Sequence, residues 1–307
     1  MAYAKNIESD HGLNARMFVT GLLLVALWGV LGAVMFAVGL SLSFIVIIEL
    51  AMIFGQYWFS DRLALFGMGG HIVTPEEEPK LHAMVDRLCA LADMPKPRVA
   101  IADVDMPNAF ATGRSPKAAV VCATRGIMNR LDDAELEAVL AHELSHVAHR
   151  DVAVMTIAAS VGMLAGVLTR VAMWSTIFSG GDNENNQGGV AVELIIMLVS
   201  IVVYAISFML TMALSRYREL AADRSGAILI GRPSVLASAL VKITGDIGRI
   251  PQRDLRRSEA YNAFFFTPAI SGKEGGGSLA GLFSTHPSLE KRLEQLDQLE
   301  RQLGQAS

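Results

Sequence analysis

Cysteine is almost missing from this chain of 307 residues: Cys89 and Cys122 are the only two, and their spacing resembles neither a metal site nor a redox motif. A disulfide-stapled fold therefore has no support, and both thiols are expected to be reduced. An excess of charge of one sign is also missing, since 26 Lys and Arg stand against 30 Asp and Glu for a net charge of -4. No basic surface recommends nucleic acid as a partner. Tandem repeats are absent, and the one low-complexity stretch, Gly275-Gly276-Gly277, reads as a flexible loop. A cleaved signal peptide is not expected, because the first sixteen residues are mixed in charge and no small-residue cleavage site leads into a polar start.

What the chain does hold is apolar sequence. Hydrophobic residues make up 52% of it and the mean hydropathy is +0.41, which suits a membrane protein with a sizeable soluble portion. Residues 17–59 are almost entirely apolar, interrupted by Gly39, Ser41, Ser43 and Glu49, about the length of two bilayer crossings at ~20 residues each. They read as a hairpin of spans 17–37 and 42–59. A second pair is expected at 152–178 and 190–214, where both runs exceed what a soluble core helix usually needs. The chain thus divides into a polar leader 1–16, a hairpin 17–59, a soluble part 60–151, a hairpin 152–214 and a soluble part 215–307.

Basic residues set the expected orientation. The 180–189 connection contains Asp182 and Glu184 but no Lys or Arg, whereas residues 61–151 carry ten Lys or Arg, from Arg62 to Arg150. Both termini and the soluble parts should then face the cytoplasm. Glu49 and Arg170 fall at similar depth below the outer surface, where mutual pairing relieves two costly intramembrane charges; outward snorkelling of Arg170 and protonation of Glu49 are the alternatives.

The polar signal of most consequence is His142-Glu143-Leu144-Ser145-His146. Asp132 followed by Glu135 reads as a capped helix start, and Leu136, Val139, Leu140, Leu144 and Val147 continue at helical spacing. On that helix the two imidazoles share a face one turn apart and can reach one Zn²⁺, with Glu143 placed to act as general base on a metal-activated water. A third protein ligand is needed. It does not follow at once, because the metzincin pattern requires Gly and His where this chain has His149 and Val152. Glu219, in the later polar run Ser215-Arg216-Tyr217-Arg218-Glu219, can complete a two-His, one-carboxylate set. Asp223, one turn on, could accept the free ring N–H of a ligand His. In isolation that second segment could equally be a solvated helix face of Arg/Glu and Arg/Asp pairs.

Around these helices the soluble parts read as an amphipathic helix over 81–89, short strands at 99–102, 109–112 and 118–122, and a helix over 232–243. Asn108-Ala109-Phe110 is the candidate sheet edge, able to bind an extended peptide by main-chain pairing; an ordinary strand with one buried Phe is the plainer alternative. The aromatic cluster 264–266 reads as core, with a place on the membrane surface as the alternative, and an exposed helix is expected to close the chain after Ser288. His286 beside Pro287 could be a simple turn.

Together, Ala141-His142-Glu143-Leu144-Ser145-His146, Ser215-Arg216-x-x-Glu219-x-x-x-Asp223, Pro107-Asn108-Ala109-Phe110-Ala111-Thr112-Gly113 and Thr285-His286-Pro287 resemble the M48 family of membrane zinc metalloproteases. The resemblance covers residues 17–295, with four spans in the matching order. It implies an α+β protein of four transmembrane helices and a cytoplasmic, mainly helical, zincin-like (gluzincin) catalytic domain with a small β-sheet. It further implies one zinc on His142, His146 and Glu219, Glu143 as base, and endopeptidase cleavage of misfolded or damaged membrane proteins at cytoplasmic segments, in quality control and stress response at the bacterial inner membrane. His286 and Arg292 are candidates for stabilising the transition state. Two features depart from the family pattern: the length of the 1–16 leader, and His149, an extra imidazole one turn from His146. The competing readings are a transporter or channel component, whose activity would depend on charges within the spans, and a catalytically silent scaffold with a structural metal. The scaffold would normally need four closed ligands, often Cys, which this chain does not offer at suitable spacing.

Overall fold

The computed structural model describes residues 11–37, 68–179, 187–247 and 286–306, with scattered positions between 43 and 66. Helix α1 (His11–Ala37) begins six residues before the expected start of the first span at residue 17. Strand β1 (Gly70–Ile72) and helix α2 (Pro79–Ala92) follow, and α2 starts with Pro79, whose missing N–H costs nothing in a first turn. The sheet continues with β2 (Arg98–Ala102), β3 (Ala109–Thr112) and β4 (Val120–Thr124). Expectation and structure coincide at β3, but the strand expected at 118–122 is displaced two residues, because Pro116–Ala118 forms a turn of 3₁₀ helix.

Strand order is β1-β2-β4-β3, with β2 and β4 parallel and both outer pairs antiparallel. β3 therefore lies at an edge. Gly113, directly after it, has φ +130 and Ala118 O would lie 2.7 Å from an added Cβ, so the turn out of the edge strand requires glycine. Helix α3 (Arg125–Arg130) is capped by Thr124, whose hydroxyl accepts from Ile127 N.

Helix α4 (Asp133–Ala148) opens with the expected capping box: Asp132 accepts from Glu135 N, and the Glu135 side chain returns to Asp132 N. Glu135 is also gripped by Ser238 and Lys242, which fastens the later helix α7 (Pro233–Ile247) to α4. Leu136, Val139, Leu140 and Leu144 bury the inner stripe of α4 in one core with Val85, Leu88, Ile101, Val121, Leu236 and Leu240. Each such side chain contributes about 1.5–3 kcal/mol by leaving water.

Two long helices complete the architecture. α5 (Asp151–Ser179) and α6 (Gln187–Ile230) pack on each other and on α1, with Leu31 and Met35 meeting Val161, Leu164, Ala165 and Val203. Thr211 Oγ1 donates across the pair to Ala158 O at 3.2 Å. The apolar run expected at 190–214 and the polar helix that carries Glu219 are one element: α6 runs unbroken for 44 residues from apolar into charged sequence, because its charged residues still favour helix and find partners within the fold. The final helix, α8 (Leu289–Ala306), differs from expectation as well. It is not simply exposed, since Arg292, Leu296 and Leu299 are buried.

Among the described residues, three helices are long and apolar enough to cross a membrane, over His11–Ala33, Asp151–Arg170 and Leu194–Ile230. Phe18, Leu22 and Val25 on α1 and Leu198 and Val202 on α6 present exposed apolar side chains, as a lipid-facing surface would. Part of the expected span 42–59, the partner Glu49 proposed for Arg170, residues 264–266 and the glycine run 275–277 lie outside the described residues.

Candidate metal centre

α4 and α6 cross so that His142, His146 and Glu219 converge, each offering an atom within 4.8 Å of the others. His142 Nε2 lies 3.1 Å from His146 Nε2 and 3.9 Å from Glu219 Oε2, while His146 Nε2 lies 3.4 Å from Glu219 Oε1. Donors about 2.0–2.1 Å from a tetrahedral metal stand roughly 3.3–3.4 Å apart, so the three atoms are spaced as such an ion requires.

The proton positions strengthen that fit. His142 Nδ1 is 2.9 Å from Asp223 Oδ1, and His146 Nδ1 is 2.6 Å from Asp151 Oδ2. When neutral, as a metal ligand must be, each imidazole keeps its proton on Nδ1, toward a carboxylate, and presents the lone pair of Nε2 to the centre; without the metal, burial is outweighed at His146 by Glu219 and Glu143, which hold that ring above its ordinary value. Two lone pairs and a carboxylate meeting in a buried place repel one another until a cation joins them. The donor set, two N and one O with no sulfur, suits zinc and leaves a fourth position for water.

Glu143 stands beside the cluster and is buried. Its Oε2 accepts the N–H of Ala111 at 2.9 Å, tying it to the edge strand β3. Burial pushes its carboxyl up to about 8, nearby His146 opposing the rise and Glu219 adding to it. Burial also holds His142 below its ordinary value, consistent with a neutral ring.

The remaining sequence candidates divide by position. Thr124 N donates to Asn108 O and Asn108 N to Thr124 Oγ1, so Asn108 is fixed inside the sheet. Phe110 is buried in the core, as in the plainer reading. By the β3/β4 register the main-chain groups of Ala109 and Ala111 point away from β4, and one of them reaches Glu143. His286 Nδ1 lies 2.9 Å from Glu219 Oε2. Arg292 is fully buried and clasps both oxygens of Asp223, at 2.7 and 2.6 Å, with its Nη1 3.8 Å from Glu219. It backs the cluster from behind Asp223. His149 is exposed and stands outside the converging set.

Asp151, Arg218 and Gly226 had no signal in the sequence patterning. Arg218 pairs with Asp151, and Gly226 sits against the backbone of His142.

A His-Glu-x-x-His helix, a distant carboxylate and an edge strand touching the Glu define a metallopeptidase, here joined to membrane-type helices. Comparison with known proteins gives the particular family: the model for peptidase family M48 matches residues 75–300, and the chain belongs to that family. It is 55% identical over 301 residues to Protease HtpX homolog 1 of Streptomyces coelicolor, spanning 97% of this chain and 96% of that one. It is 50% identical over 300 residues to the Protease HtpX homolog of Moorella thermoacetica, spanning 97% and 98%. The fold is similar to the crystal structure of S. mikatae Ste24p, with a TM-score of 0.56 at 15% identity over 93% of this chain and 67% of that chain.

Proposed function

We propose that the protein is a zinc-dependent endopeptidase of the membrane, holding one zinc on His142, His146 and Glu219 and cutting unfolded or damaged membrane proteins. The observation that carries this reading is the meeting of two imidazole lone pairs and a carboxylate beside Glu143, which itself hangs from an edge strand. When bound there, zinc supplies a Lewis acid and brings a water's pKa to ~7.

The chain's own groups do the rest. Asp223 and Asp151 hold the two rings in the tautomer that faces the centre, and His286 steadies Glu219. Ala111 N–H aims Glu143, which takes the proton of the attacking water and hands it to the departing amine. A substrate in extended form pairs with the outward main-chain groups of β3, which recognises backbone and leaves side-chain choice broad. Arg292 is engaged by Asp223 and is not assigned to the transition state.

Location follows from helix lengths. Glu219 lies five residues beyond Leu214, ~7.5 Å along α6, so the centre stands at the bilayer surface. The basic residues of 61–151 support placing it on the cytoplasmic face, with four spans, both termini inside and a role in membrane-protein quality control. A silent scaffold is disfavoured because Cys89 and Cys122 are both in the core, away from the cluster. Chelation of the detergent-solubilised protein should abolish casein cleavage and one equivalent of zinc should restore it. Cleavage indifferent to chelation would overturn the reading.

A further inference from the structure

Asp151 occupies the first turn of α5, the helix that enters the membrane after α4. Between the two helices the chain reverses at Arg150, a non-glycine residue with φ 57, and the reversal brings Asp151 back over His146. Its Oδ2 lies 2.6 Å from His146 Nδ1, while its other oxygen pairs with Arg218 of α6. Arg218 also donates to His149 O, at 3.4 Å, where the carbonyls at the C-terminal end of α4 carry partial negative charge. Both charged side chains are buried, so the contact is neither solvated nor interchangeable with a surface pair.

The arrangement repeats the one at the other imidazole. His142 is held by Asp223, which is clasped by Arg292; His146 is held by Asp151, which is clasped by Arg218. The difference lies in the origin of the parts. Asp223 and Arg292 belong to α6 and α8, whereas Asp151 opens α5 and Arg218 belongs to α6, so only the second pair joins α5 to α6.

We infer that Asp151, fixed by Arg218, is the positioning residue for His146, and that it makes the metal affinity of the site depend on the packing of α5 against α6. The inference rests on the proposed zinc site. An ion pair with a structural role alone would stabilise the metal-free protein and leave zinc affinity unchanged. A positioning residue does the opposite: it fixes ring orientation and basicity, so its loss is read in metal affinity.

The test uses the full chain in detergent, with zinc affinity measured by competition against a chromophoric chelator and metal-free stability measured by thermal melting. Asp151→Ala should weaken zinc binding ~10–100-fold. Asp151→Asn keeps an oxygen for the His146 N–H and should lose less, and Arg218→Gln, which leaves Asp151 in place but unclasped, should also lose less than the Ala variant. Should Asp151→Ala not fold, the Asn and Gln variants carry the comparison, and a measurable loss of affinity in both is expected. Zinc affinity within about twofold of wild type in every folded variant, whatever their melting temperatures, would overturn the inference while leaving the zinc site intact. Wild type that takes up no zinc, or takes up as much as His142→Ala, would overturn the proposed site and this inference with it.

Discussion

Gly226 presses its Cα face against the backbone of His142: a Cβ added at Gly226 would stand 2.8 Å from His142 N and 2.9 Å from His142 Cα. Backbone atoms cannot rotate aside as a side chain can. The close approach lets α6 lie near enough to α4 for Glu219 and Asp223, on the same face as Gly226, to reach the two imidazoles. Gly226→Ala should therefore cost about 1–3 kcal/mol and weaken zinc binding together. Gly245→Ala, in α7 with open space around it, should be neutral or slightly stabilising, since glycine within a helix is ~0.5–1 kcal/mol worse than alanine. Denaturant melts and chelator competition on the two variants check the contrast.

Loss of Glu219 and loss of Asp223 should differ in kind. Glu219→Ala removes a proposed ligand and should leave little zinc bound. Asp223→Ala removes an orienting partner, for a loss of ~10–100-fold in affinity. It also deprives buried Arg292 of the carboxylate it clasps, a defect that costs about 3–5 kcal/mol when one half of such a pair is removed. Adding Arg292→Met to Asp223→Ala should recover metal-free stability without recovering affinity; metal analysis and thermal melts separate the two. Full zinc occupancy in Glu219→Ala would mean that another group is the third ligand.

The raised pKa of Glu143 gives a pH signature in the metal-free protein. Its folded value, about 8, lies above the ordinary 4.5, so between those values the folded state keeps a proton that the unfolded chain releases. Stability then falls as pH rises through that window. Glu143→Gln removes the penalty, so its stability advantage over wild type should grow from pH 5 to pH 8 and level off above about 8. An advantage of constant size across the range would contradict the burial argument. Melting temperatures in the presence of chelator provide the measurement.

Burial pushes the Cys89 thiol up to about 11 and Cys122 up to about 12. Almost no thiolate exists at neutral pH, and the thiolate is the nucleophile. Iodoacetamide should leave both residues unlabelled in the folded protein and label both after denaturation. Rapid labelling of either in the native state would show that the sheet and α2 open readily.

Local rules made much of the centre legible in the sequence. The capping box of Asp132 and Glu135 and the helical spacing of His142 and His146 follow from neighbours within a turn or two, and β3 follows from a short run between turn residues. Asp151 was hidden because five residues do not share a helix face; only the reversal at Arg150 returns it to His146. The Gly226 contact joins residues far apart in sequence, which periodicity cannot report. β1 is three residues long, too short for a pattern. Arg292 reads in the sequence as a transition-state candidate on an exposed helix, and it is buried because Asp223 and Glu219 provide anions for it. The fall in hydropathy after Leu214 looked like an end of an element, yet a helix continues wherever its charged residues find partners.

In the proposed mechanism Glu143 is the general base and not a ligand. Zinc content and casein cleavage, measured side by side on wild type and Glu143→Gln in the same detergent, test it most directly. About one zinc per chain is expected in both proteins, with a ~10²–10⁴-fold slower cleavage in the variant. Stoichiometric zinc with cleavage near the wild-type rate in Glu143→Gln would contradict it.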